Sequence, residues 1–163
     1  MKRKRSEDRE RGSALLEFGL VAIVLFMLIF GIIDFARALS AYHFVANAAR
    51  EATRYAMVRG ADCSLPTACP AQNSDVTAYV QSLATGTGID PNAVEVDASW
   101  PSSNRTCSTN PKNPGCLVVV QVSYPFKFVF PLMPSRTCTV NAGNTPAIGN
   151  ICISSTSQMV ISQ

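Results

Sequence analysis

The chain has 163 residues, a net charge of +3, 47% hydrophobic residues and 15% charged residues. So low a charged share excludes an intrinsically disordered tail and a charge-rich coiled coil. The length allows one modest domain.

The charge is concentrated at the front. Residues 1–12 hold Lys2, Arg3, Lys4, Arg5, Arg9 and Arg11 against Glu7, Asp8 and Glu10, which accounts for the whole excess. The rest of the chain is neutral, whereas a nucleic-acid binder needs a basic face on its folded part, so nucleic acid is not an expected partner. All ten prolines lie at or after Pro66 and all six cysteines at or after Cys63. The chain therefore divides near residue 60. Four segments are expected: a basic leader over 1–12, a membrane-spanning half-helix over 13–33, an amphipathic extension over 34–60 and a folded head over 61–163.

Phe18 to Ile33 is a run of 16 uncharged residues, and Ser13 to Ile33 carries Glu17 as its single charge. About 20 apolar residues cross a bilayer core. Six Lys/Arg precede this span, while Arg37 and Arg50 are the two that follow it within the next 17 residues. The positive-inside rule then places the N-terminus in the cytoplasm and the head outside. Beyond the span, Phe35, Leu39, Tyr42, Ala46, Ala49 and Ala56 recur at steps of three and four, the mark of one helix face. Gly60 sits where a helix-ending glycine would. A helix over Ser13–Arg59 would be about 70 Å long at 1.5 Å per residue. Its second half is expected to lie against the head. Asp34, Arg37, Arg50, Glu51 and Arg54 read as a solvated face with weak neighbour pairs rather than a catalytic cluster. His43, the one histidine, reads as an ordinary helix-surface residue.

The junction Arg11-Gly12-Ser13-Ala14-Leu15-Leu16-Glu17-Phe18 carries the chemistry. A carboxylate in an apolar span costs up to about 2.5–3.5 kcal/mol and needs a partner. Cleavage after Gly12 would create one, because the new Ser13 ammonium could neutralise Glu17 of a neighbouring subunit. Such a cut also keeps the apolar segment on the mature chain, unlike removal of a secretory signal. The alternative for Glu17 is a membrane-edge residue reaching the headgroups.

GSALLEF resembles the Gly-xxxx-Glu-Phe processing site of prepilins. The following FGLVAIVLFMLIFGIIDFARALSAYHFVANAAREATRYA is similar to the TadE-like minor pseudopilins of the bacterial tight-adherence (Flp-type) pilus system. The resemblance covers about residues 11–59. It implies that Gly12 and Ser13 are the scissile pair, cut by a membrane aspartic prepilin peptidase, and that Glu17, followed by Phe18, is the assembly and processing acid. Asp34, Phe35 and Arg37 match an acidic-aromatic-basic cluster after the span. Ala48, Ala49, Arg50, Glu51 and Arg54 match a second helical motif. Ala52-Thr53 departs from a common Gly-Ala, and Ser13 differs from the aromatic first residue of ordinary type IV pilins.

In the head, Ser74 to Ala84 reads as a short helix, with Ser74 as cap, Val76, Tyr79, Val80 and Leu83 as apolar face and Gly86 as stop. Val94 to Trp100 alternates as a half-buried strand does. Leu117 to Tyr124 is the strongest strand, with Val118, Val120, Val122 and Tyr124 on one face. Phe126, Phe128 and Phe130, bracketed by Pro125 and Pro131, suggest an edge or bent strand. Ile151, Ile153 and Met159 to Ile161 could supply one or two closing strands. Cys63, Cys69, Cys107, Cys116, Cys138 and Cys152 allow 15 pairings. The sequential set, Cys63–Cys69, Cys107–Cys116 and Cys138–Cys152, is expected in an exported domain. Without a Cys-x-x-Cys and with His43 remote, zinc is disfavoured. The Asn104-Arg105-Thr106 sequon reads as loop composition.

The expected fold is thus α+β: a long transmembrane-to-soluble helix on a small antiparallel, disulfide-braced, pilin-like sheet. No phosphate loop, nucleophile elbow or metal motif points to an enzyme or a cofactor. The expected function is a minor pseudopilin, a structural or assembly component of the pilus. Its expected partners are other pilin and pseudopilin subunits, the peptidase and the inner membrane. Its expected place is single-pass in a bacterial inner membrane, with a periplasmic head that can enter the extracellular pilus. Three rivals remain: a secreted protein cut after Ala36-Arg37-Ala38, a signal-anchored binding or adhesion module without a filament role, and, more distant, a membrane-anchored hydrolase.

Overall fold

The structure is a computed structural model that describes residues 3–102, 105–129 and 150–162. The chain forms two compact units, Met1–Arg37 and Ala38–Gln163. Helix α1, Arg3–Met57, contributes to both.

In the first unit, α1 begins at Arg3, ten residues before the expected start at Ser13. The reason is propensity. The basic segment is mostly Arg, Lys and Glu, good helix formers, with no proline to stop the helix. The large apolar side chains from Leu15 to Ile33 are 41–78% exposed. From Ala14 onward the helix is long and apolar enough to cross a membrane.

The second unit holds the last part of α1, helix α2 (Asn73–Ala84), a 3-10 turn at Pro91–Ala93, strand β1 (Glu95–Ser99), helix α3 (Arg105–Thr109), and strands β2 (Leu117–Lys127) and β3 (Asn150–Val160). The strands form an antiparallel sheet in the order β1-β2-β3. The alternation of the sequence sets its faces. Val118, Val120 and Val122 are fully buried, as are Val76 and Val80 of α2. Each such valine contributes roughly 1.5 kcal/mol or more by burial. The α1 side of this core is Val45, Ala48, Ala49, Ala52 and Ala56. Across β3 from the valines lie small residues, Ser157 opposite Val120 and Ser155 opposite Val122.

The covered stripe of α1 differs from the face expected from sequence. Ala49 and Ala56 are buried, but Phe35 is 70%, Leu39 46% and Tyr42 55% exposed. The expected stripe repeats every 3.5 residues, which drifts about 20° per heptad around a straight α-helix. The buried residues of α1 in the second unit are Ala41, Val45, Ala48, Ala49, Ala52, Thr53 and Ala56.

Other elements shift modestly. α1 ends at Met57 rather than Arg59. The cap of α2 is Gln72, whose N–H donates to the Asp75 carboxylate at 2.9 Å, so Ser74 stands inside the first turn. Gly86 follows α2 with φ +83°, the left-handed geometry that glycine tolerates without strain. β2 continues through Pro125 instead of ending at Tyr124. The β1 pairing stops at Ser123, so Pro125 pairs with β3 alone among the described residues. There its missing N–H costs no bond to β1. The closing segment is a single strand, β3, and the N–H of Ala98 in edge strand β1 donates to the Asn73 side chain at 2.9 Å. Phe130 and Pro131 lie outside the described residues.

Cys63 is bonded to Cys69 and Cys107 to Cys116, with Cα separations of 5.9 and 5.7 Å. Cys107 and Cys116 belong to the core. Cys152 is disulfide-bonded, and Cys138 lies outside the described residues.

Candidate functional site

The junction residues lie on α1. Gly12 and Ser13 fall inside the helix, with continuous helical backbone on both sides. One turn further on, Glu17 and Phe18 are exposed. Glu17 is an acid on a surface otherwise built of exposed leucine, valine, isoleucine and phenylalanine. That surface suits lipid or other apolar helices, and the carboxylate is the one group in it that demands a polar or cationic partner.

Past the apolar run, Asp34 is 4% exposed, and Arg37 Nη1 donates to its Oδ1 at 3.1 Å. Phe35 between them points to the exposed side. In the second unit Arg50, Glu51 and Arg54 are exposed. Arg54 stands 3.7 Å from Glu51, a solvent-facing pair worth a few tenths of a kcal/mol. Among the described residues these charges form two i,i+3 ion pairs, Asp34–Arg37 in the first unit and Glu51–Arg54 in the second. Among the described residues no three His, Cys, Asp or Glu side chains group as metal ligands.

Two contacts that bind the head together are not marked in the sequence. Lys112 Nζ donates to the Ala71 carbonyl at 2.7 Å and lies 4.5 Å from the centre of the Trp100 ring. The Lys112 carbonyl also accepts from Ala61 N–H at 2.8 Å. Partial burial pushes the Lys112 ammonium below its ordinary pKa, against an opposing pull from Asp75. At the end of α1, Tyr55 stacks on Tyr79 at 4.4 Å, and the Arg59 guanidinium lies 3.7 Å over the Tyr55 ring. Ala71 N–H donates to the Arg59 carbonyl, closing the neck of the Cys63–Cys69 loop. Apart from Tyr55 and Arg59, one turn apart at the end of α1, these partners are distant in sequence and belong to no short motif. The single Trp and four Tyr of the chain give no local signal for them.

Taken together, an exposed apolar helix followed by a small α+β head fits a single-pass, helix-anchored protein. The family model described as TadE-like protein matches residues 12–54, so over that segment the chain is similar to that family. The match takes in Gly12, Glu17, the Asp34–Arg37 pair and the Arg50–Arg54 segment, and it supports a pilus-associated component of the tight-adherence system. Neither a curated protein nor a solved structure matches the chain.

Proposed function

We propose that this chain is a minor pseudopilin that a prepilin peptidase cuts between Gly12 and Ser13. The observation that carries the reading is Glu17. It is an exposed acid one turn into an exposed apolar helix, four residues after the first residue of the proposed mature chain, within the TadE-like segment. Hydrolysis consumes one water and leaves a Gly12 carboxylate and a Ser13 ammonium. The ammonium supplies the cation that Glu17 of an adjacent subunit needs once both helices leave lipid. The basic leader holds the N-terminus on the cytoplasmic side, so the head faces the periplasm. The partners in this reading are the peptidase, the inner membrane and other pilin subunits.

The mature N-terminus, read from membranes with and without the peptidase, tests the proposal. A start at Ser13 that requires the peptidase supports it. A start at Leu39 would make the chain a secreted protein, and a retained Met1 would make it a signal-anchored module.

A further inference from the structure

The proposed scissile bond lies in the interior of a helix that runs unbroken from Arg3 to Met57. Inside a helix a peptide carbonyl is hydrogen-bonded four residues ahead, and the flanking turns crowd its faces. A peptidase needs that carbonyl free, polarised and open to attack by water. The Gly12–Ser13 bond therefore has to leave the helix before it can be cut.

α1 contains three glycines, Gly12, Gly19 and Gly31. Glycine is the weakest helix former after proline, so each is a point where the helix can part. Their surroundings differ. Gly19 and Gly31 stand in the apolar stretch, where freed N–H and C=O groups would find no water. Gly12 follows Arg9, Glu10 and Arg11 and adjoins the charged segment, where freed groups can be hydrated or held by the peptidase.

We infer that Gly12 selects the cleavage point by letting α1 unwind at the water boundary, and that opening of residues 10–14 limits the rate of processing. The inference rests on the reading above, in which the leader is removed after Gly12. It assigns Gly12 a conformational role as well as one of fit.

The test compares glycine with alanine at one position, so that charge and contacts change alike and helix propensity alone differs. The full chain is co-expressed with the peptidase, and leader removal is followed by pulse-chase with N-terminal sequencing. Glu10→Gly should be cut about five-fold faster than Glu10→Ala, the rate equivalent of the ~1 kcal/mol difference in helix propensity. Ala14→Gly should exceed the unsubstituted chain by a similar factor. Gly12→Ala should be cut slowly, and adding Ala14→Gly to it should restore much of the rate. Amide exchange at residues 10–14 of the full chain in micelles should be faster in Glu10→Gly than in Glu10→Ala. Equal cleavage rates for the two Glu10 variants overturn the inference. So does a Gly12→Ala chain that Ala14→Gly leaves uncut, since Gly12 would then act by fit alone. An unsubstituted chain that is never cut at Gly12 overturns the processing reading instead.

Discussion

The Thr53 hydroxyl ties α1 to β3: it donates to the Ala49 carbonyl at 2.6 Å and lies 3.4 Å from the carbonyl of Ser157, 104 residues away in sequence. Thr53 is fully buried beside an alanine stripe, so this hydroxyl is a buried polar contact between α1 and β3. Thr53→Val keeps the shape and removes the donor. The expected loss is about 1 kcal/mol, the net value of a typical hydrogen bond. Urea unfolding of the full chain in detergent checks it, and an unchanged midpoint would show that the longer contact carries no energy.

How much of this seam the residues announced can be said position by position. The valines of LVVVQVSY and the alternation around Val96 set the sheet faces, because a period of two is unambiguous beside a helical period. The stripe of α1 was harder. Phe35, Leu39 and Tyr42 are large and apolar, Ala41 and Ala48 small, and pattern reading favours the larger. The core took the smaller ones, Ala48, Ala49, Ala52 and Ala56, with Val118, Val120 and Val122 of β2. Of the candidate site, Gly12, Glu17 and the apolar run were visible because charge against apolarity is a strong local contrast. The Lys112–Trp100 and Arg59–Tyr55–Tyr79 contacts were not, because they depend on which loops the fold brings together.

Ser123 offers a test of opposite sign. It is fully buried, and its Oγ has no hydrogen-bond partner among the described residues. A buried unsatisfied hydroxyl costs about 1–3 kcal/mol. Ser123→Ala should therefore raise stability, by about 1 kcal/mol after allowing for the lower strand propensity of alanine. A fall in the urea midpoint would mean that the hydroxyl finds a partner in solution.

The two described disulfides should differ in cost when removed. Their spans of 6 and 9 residues give similar chain-entropy terms, about 2–3 kcal/mol each. Burial separates them: Cys107 and Cys116 lie in the core, whereas the residues between Cys63 and Cys69 are largely exposed. Replacing Cys107 and Cys116 by Ser also places two hydroxyls among apolar side chains, so that double variant should lose clearly more than the Cys63/Cys69 double variant. Thermal unfolding of both in the same detergent decides, and equal losses would reduce the effect to chain entropy alone.

Lys112 sets a pH dependence. Its folded pKa lies below the ordinary 10.5, chiefly through burial. Between the two values the unfolded chain holds more protons than the folded one, so stability rises with pH across that window. Below it the lysine is charged in both states and contributes no slope. Lys112→Gln should remove the alkaline rise while sparing the neutral baseline apart from the lost Ala71 bond and Trp100 contact. Unfolding midpoints taken from about pH 8 to 10.5 check this, and a variant that keeps the full rise would assign it to another group.

Glu17 separates anchoring from assembly. An acid in the span opposes insertion, by at most about 2.5–3.5 kcal/mol at mid-bilayer and by less near the edge. Glu17→Ala should therefore leave membrane insertion intact or improved. If the carboxylate pairs with a neighbour's Ser13 ammonium, the same change removes one half of an ion pair in apolar surroundings and strands the other half, which is strongly unfavourable. Incorporation into sheared pili should fall by ten-fold or more, against unchanged membrane levels. Glu17→Gln keeps the size and hydrogen bonding but not the charge, and should fail nearly as badly. Normal incorporation of both variants would place Glu17 at the headgroups and leave the apolar face of α1 as the whole basis of assembly.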